Sequence, residues 1–155
     1  MPNDLSLQER AEVIETCSQW AWCIDERRWE DLASLFADQC EVDYTELFGG
    51  EPMVVSPSDM ARNSETLLKN LSATQHLVAS HVVSGGGGRA SCKSQVIATH
   101  ALPNALGDSL WTVGGHYYME LIQSDRGWRI AKLRLRVLWS TGNREIMRLA
   151  RKASS

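Results

Sequence analysis

A chain of 155 residues fits one domain, 1–155, large enough to bury roughly two thirds of its unfolded surface around a single core. With 43% hydrophobic and 23% charged residues the composition is that of an ordinary soluble globular protein, and a formal charge of −3 argues against a nucleic-acid surface. The stretch Met1-Pro2-Asn3-Asp4-Leu5-Ser6 has neither a basic region nor an apolar run, so no signal peptide and no membrane span are expected.

Cys17, Cys23, Cys40 and Cys92 show no C-x-x-C spacing and no His cluster at metal-ligand intervals. They read as reduced, buried thiols of a cytoplasmic protein, with no metal expected. Six Trp supply broad apolar walls, useful in cores and around flat ligands.

In chain order, Ser6 or Asp4 can cap a helix running to about Glu26, because Val13, Ile14, Cys17, Trp20, Ala21 and Ile24 recur with helical spacing. Ile14, Cys17, Ala21 and Asp25 form one stripe, so a carboxylate ends the apolar face; it is either solvated or held beside a cavity. Trp29 to Phe36 predicts a short second helix with Glu30 and Asp31 favouring its start. Cys40 to Thr45 alternates as a strand, with Tyr44 on its apolar phase. Glu46 to Val55 reads as an apolar loop able to fold over a cavity mouth, with Phe48 and Met53 on its wall. Ser56-Pro57 then starts a helix carrying Met60, Leu67, Leu68 and Leu71.

The long strands come last. His76 to Val83 is joined through Gly85 to Gly88 to Arg89 to Leu102, which places Val96, Ala98 and His100 on one phase. Ser109 to Gln123 alternates on Trp111, Val113, Gly115, Tyr117 and Met119, and Gly114-Gly115 within it predicts a bend or bulge. Gly127 to Ser140 changes phase near Ala131-Lys132, which predicts a second bulge, and continues inward at Leu133, Leu135, Val137 and Trp139. Lys132, Arg134 and Arg136 take the opposite face, solvated or part of a polar interface. Asn143 can cap a closing amphipathic helix. The expected class is α+β, a cone-shaped curved antiparallel sheet packed around helices.

Two imidazoles and one acid carry the candidate chemistry. If Asp25, His76 and His100 point into one cavity, the chain is an acid-base enzyme; if they do not, it is a small α+β binding domain. An imidazole moves protons near neutral pH, and a neighbouring carboxylate fixes its tautomer and stabilises the imidazolium. His81 and His116 lie on other phases and read as structural.

The Trp20-Ala21 pair followed by Asp25, Trp29-Glu30-Asp31-Leu32, Val42-Asp43-Tyr44, Thr74-Gln75-His76, His100, Gly127-Trp128-Arg129 and Trp139 follow one another in a meaningful order. In that order the chain resembles the nuclear transport factor 2-like superfamily, in its SnoaL-like branch, and within it most resembles the scytalone dehydratases. The resemblance implies Asp25, Tyr44, His76 and His100 around a substrate. It also implies a departure, because the second tyrosine of the dehydratases is Ile24 here, and their Ser and Asn on a late strand are Gly115 and Tyr117. The Asp-His pair also resembles that of a dehydrochlorinase of the same superfamily.

The expected function is therefore a cofactor-free, dehydratase-like lyase acting next to a carbonyl of a small, flat, apolar or aromatic secondary metabolite, polyketide-like in shape. Asp25 orients His76 as base, Tyr44 bonds the developing enolate, and His100 protonates the leaving hydroxyl or assists it from the other side. Trp111, Val113, Gly115, Tyr117, Leu133, Leu135, Phe48 and Met53 are expected to hold the substrate. The alternatives are an isomerase or polyketide cyclase in the same pocket, or a noncatalytic small-molecule or protein-binding domain. The charged sheet face and the family habit suggest a homodimer or homotrimer.

Overall fold

Ser6 sets the first helix in place. In the computed structural model, which describes residues 4–153, its hydroxyl accepts from the Glu9 backbone N–H at 3.2 Å, and the Glu9 carboxylate takes the Ser6 N–H at 2.8 Å. Residues 1–3, part of the stretch expected to hold no signal peptide, and residues 154–155 lie outside the described residues. From this reciprocal cap α1 (Leu7–Asp25) buries Val13, Cys17, Trp20, Ala21, Cys23 and Ile24, the stripe that the spacing predicts.

Helix α2 (Trp29–Ser34) stops two residues short of the predicted end at Phe36. The Leu35 carbonyl accepts the Ile130 N–H at 2.8 Å, which draws the chain into the sheet, so β1 (Phe36–Asp43) begins earlier than expected. The predicted loop 46–55 is partly structured: α3 (Thr45–Phe48) makes one turn, and β2 (Met53–Val55) pairs antiparallel with β1. Ser56 caps α4 (Pro57–Leu68) by accepting from the Asp59 N–H at 3.1 Å, with Pro57 in the first turn where its missing N–H is harmless.

Four long strands follow, β3 (Ala73–Gly86), β4 (Arg89–Ala101), β5 (Leu110–Ser124) and β6 (Gly127–Gly142), then α5 (Glu145–Lys152). Asn143 accepts the Glu145 N–H through its side-chain oxygen at 3.1 Å, satisfying a free donor at that helix start. The six strands make one curved, unclosed sheet in the order β2-β1-β6-β5-β4-β3. One feature differs from a purely antiparallel sheet: β1 runs parallel to β6. A parallel neighbour needs a long crossover rather than a hairpin, and everything from α3 to β5 lies between these two strands.

Both predicted bulges are present. Glu120 pairs with Lys132 and Leu121 with Ile130, leaving Ala131 as the extra residue; Gly114 pairs with Trp139 and Gly115 with Val137, leaving Leu138 extra. The second bulge overturns one expectation. It rotates the end of β6, so Trp139 leaves the inner phase, is 46% exposed, and lays its indole over Gly114. A third irregularity lies in β3 between Ala79 and Val82.

Helix α1 packs against β3, β4 and β6, while α2 and α5 pack on α4. Alternate residues of β4, from Ala90 to His100, are buried under this helical layer. On the other face Lys132 lies 3.8 Å from Glu41, and Arg134 lies 3.9 Å from Asp43 and 3.8 Å from Glu46. These half-exposed pairs contribute about 0–1 kcal/mol each. Among the described residues no helix is long and apolar enough to cross a membrane.

Candidate active site

Helix α1 ends on Asp25, and β3 begins with Thr74 and His76 at its side. His76 Nδ1 lies 2.7 Å from Asp25 Oδ1, the His76 backbone N–H donates to Asp25 Oδ2 at 2.7 Å, and the Thr74 hydroxyl donates to Asp25 Oδ1 at 2.9 Å. Burial opposes ionisation of Asp25, but the ring and backbone of His76 and the Thr74 hydroxyl outweigh it and hold the carboxyl below its ordinary range. An ionised carboxylate only accepts, so Nδ1 of His76 carries a proton, and in the neutral ring Nε2 is the nitrogen with the lone pair. That Nε2 has no protein partner among the described residues, and His76 lines a cavity.

The cavity has a volume of about 420 Å³, within the range of small-molecule sites. Trp20, Ile24, Val96, Ala98, Val113 and Leu135 form apolar wall, with Leu67, Leu68 and Met60 from α4 and Met147 from α5. Phe48 and Met53 stand at the mouth, 43% and 56% exposed. Glu51 is the one formally charged side chain among the described lining residues.

His100 reaches the same cavity from β4, its ring centroid 6.0 Å from that of His76. Its Nδ1 lies 3.2 Å from the Trp111 carbonyl oxygen, which can only accept, so this nitrogen is protonated too. Burial, aided by the nearby His76 and Arg27, lowers its pKa to about 4 against the opposing pull of the Trp111 carbonyl and Asp25. His100 is therefore neutral near pH 7 and shows the cavity an acceptor. Of its two expected roles, a neutral His100 with Nδ1 on the Trp111 carbonyl suits assisting the leaving hydroxyl better than protonating it.

Tyr44, after β1, and Tyr117, on β5, both line the cavity. Burial raises both phenol pKa values, and the two hydroxyls lie close enough to influence one another. Both therefore stay protonated and can donate. Trp20 stands edge-on to His76 at 5.4 Å and to Tyr117 at 4.8 Å, fixing the two rings relative to each other.

Of the residues expected to hold a substrate, Val113, Tyr117, Leu135, Phe48 and Met53 line the cavity. Three others do not. Leu133 is 0% exposed and belongs to the core, Trp111 lies behind His100 with ring centroids 4.9 Å apart, and Gly115 is pressed against the Arg136 carbonyl. All three have the inward phase, but phase does not say whether a position reaches the hollow or the packed core beside it.

Ser64 of α4 went unnoticed in the sequence. It is 8% exposed, lines the cavity and has no hydrogen-bond partner among the described residues, so its hydroxyl is available to a ligand. One serine among helical polar residues gives no signal before the fold is known. Among the described residues no group of three or more His, Cys, Asp or Glu side chains is placed to hold a metal ion.

Similar proteins share this framework. A protein from Kribbella flavida, Kfla4162, is 30% identical, with 93% of this chain and 97% of that one covered and a TM-score of 0.84. A Novosphingobium aromaticivorans protein provisionally named a scytalone dehydratase is 21% identical over 88% of this chain and 89% of that one, with a TM-score of 0.75. A hexachlorocyclohexane dehydrochlorinase from Novosphingobium barchaimii is 16% identical over 89% and 92%, with a TM-score of 0.73; at these last two identities the likeness is one of fold. No curated protein matches the chain. The sequence pattern of the SnoaL-like domain matches residues 5–134, and the chain belongs to that family, within the nuclear transport factor 2-like superfamily.

Proposed function

We propose that the protein is a cofactor-free acid-base lyase that eliminates water from an uncharged, flat β-hydroxy ketone. The observation that carries this reading is the 2.7 Å bond from His76 Nδ1 to Asp25, which leaves an unpartnered Nε2 on a largely apolar cavity. A base so placed takes the proton beside the carbonyl, and Asp25 stabilises the imidazolium that forms. Tyr44 donates to the carbonyl oxygen as enolate charge develops there.

The same imidazolium then returns its proton to the β-hydroxyl as the C–O bond breaks, giving an enone, water and the resting imidazole. His100 is neutral, so its role is to accept from the hydroxyl O–H and hold the leaving group beside His76. Among the described residues the lining carries no Lys or Arg side chain to match a carboxylate or phosphate, which favours an uncharged substrate. The names given to two proteins of similar fold, one provisionally a dehydratase and one a dehydrochlorinase, both denote eliminations.

Isomerisation is the second reading. It is favoured by a base that must itself return the proton it takes: with no β-leaving group, His76 would return it elsewhere and move a double bond. A noncatalytic binding domain would leave the Asp25–His76 bond without a use.

Turnover of a panel of aromatic β-hydroxy ketones, followed by the ultraviolet absorbance of the enone, tests the reading. His76→Ala is expected to abolish the rate with folding intact, and Asp25→Asn to lower kcat by roughly 10²- to 10⁴-fold with KM little changed. Most of the activity remaining in His76→Ala would remove the mechanism.

A further inference from the structure

Just beyond α1 the backbone takes an unusual turn. Arg27 has φ 60°, in the left-handed region that a residue with a Cβ avoids, and among the described residues only Ser80 is another such non-glycine position. Observed strain of this kind asks what the side chain gains by sitting there. Arg27 Nη1 donates to the Ile24 carbonyl at 3.2 Å and to the Thr74 hydroxyl at 3.0 Å, and Nη2 donates to the Leu71 carbonyl at 3.4 Å. The guanidinium carbon lies 5.9 Å from the Trp29 ring centroid.

Asp25 has an electrostatic problem that these contacts solve. It is the last residue of α1, where the helix carries the negative end of its dipole, and no basic residue stands in the last turn. An ionised carboxylate is disfavoured at that end. The left-handed turn at Arg27 brings a positive charge back under it, onto a terminal carbonyl of the same helix.

Thr74 links that charge to the carboxylate. Its buried hydroxyl accepts from Arg27 and donates to Asp25 Oδ1, the same oxygen that receives the His76 ring N–H. We propose that Arg27 and Thr74 are positioning residues that lock the Asp25 carboxylate in the rotamer that holds His76 as its Nδ1–H tautomer. Neither residue itself lines the cavity; both reach His76 through Asp25. The consequence deepens the elimination reading and rests on it for its catalytic meaning: the base is aimed by a chain of guanidinium, hydroxyl and carboxylate rather than by the carboxylate alone.

The test reads the resting protein without substrate. The titratable and charged groups around His76 are Asp25 at the end of α1, Arg27 beyond it, His100 from β4, Tyr117 from β5 and Tyr44 after β1, so each variant leaves all but one in place or changes none. Nitrogen-15 and proton spectra of the imidazoles are recorded near pH 7 for the wild type, Thr74→Val, Thr74→Ser and Arg27→Gln, with folding checked by backbone amide spectra. The wild type is expected to show His76 as a single Nδ1–H tautomer with a downfield, slowly exchanging ring proton.

Thr74→Val should lose that resonance and show mixed tautomers, while Thr74→Ser keeps it. Arg27→Gln should speed exchange of the same proton, and carries the test by itself if Thr74→Val fails to fold. A wild-type tautomer and exchange rate in both Thr74→Val and Arg27→Gln would overturn the positioning role. Because the spectrum needs no turnover, that outcome is separate from failure of the elimination, which is read in the wild type by its rate on substrate.

Discussion

Tyr44 and Tyr117 present two protonated phenols to a cavity that His76 and the neutral His100 also line. In the proposed elimination the imidazoles accept protons and the phenols donate to the oxygen on which charge develops. Tyr44→Phe is expected to lower kcat by roughly 10²-fold, the loss typical of one donor to a developing oxyanion, with circular dichroism unchanged. Tyr117→Phe should have a smaller effect if Tyr44 is the donor to substrate; the order of the two rates, measured side by side, checks the assignment.

At this scale the sequence was informative where a residue type coincided with a recognisable neighbourhood. Asp25, Tyr44, His76 and His100 stood out because their order matches a known pattern, and all four lie at the cavity or against it. Trp111, Gly115 and Leu133 did not follow, since alternation gives the face of a strand but not which stretch of it borders the hollow. The protonation of His100 was hidden for another reason. It depends on the Trp111 carbonyl at 3.2 Å, a main-chain group that sequence does not locate in space. Arg27 was equally hidden, because nothing in the letters announces a left-handed φ.

Among the elements, β5 and β6 pair across two bulges. Their paired glycines face the Leu138 bulge, and the two positions are constrained in different ways. A Cβ on Gly115 would meet the Arg136 carbonyl oxygen at 2.1 Å, backbone that cannot move without breaking the ladder. A Cβ on Gly114 would meet the Trp139 indole at 2.1 Å, but this side chain is half exposed and can swing away. Gly115→Ala should therefore destabilise by about 1–3 kcal/mol and Gly114→Ala by less, as urea denaturation would show. Equal losses would mean that the indole is held as firmly as the backbone.

Both bulges were legible, one from a glycine pair and one from a phase change, because each disturbs the period-2 pattern directly. The parallel pairing of β1 with β6 was not, since register between distant strands leaves no local mark. The short turn α3 and strand β2 leave no local mark for a related reason: glycine and proline around four apolar residues fit loop and structure alike.

For the whole molecule the buried imidazole sets a pH limit on stability. His100 has a folded pKa near 4 against an ordinary value near 6.5, so the unfolded chain binds a proton over that interval that the folded chain refuses. Its contribution is complete above about pH 6.5 and is lost as the pH falls toward 4, on the order of 3 kcal/mol in all. Asp25 acts in the same sense lower down: its pKa is depressed by folding, so its stabilisation holds above the ordinary carboxylate value and disappears as the pH falls through the folded one. Thermal melts between pH 4 and 7 should show Tm falling with acid in the wild type and falling less in His100→Gln. Parallel curves would show that other groups dominate.

The central claim is that His76 removes a proton from carbon beside a carbonyl. Incubation with aromatic β-hydroxy ketones in deuterated buffer, followed by proton NMR at the α carbon, measures that step even where no water is lost. The account predicts rapid deuterium incorporation or enone formation with the wild type and neither above background with His76→Ala. Incorporation by His76→Ala at the wild-type rate would contradict it.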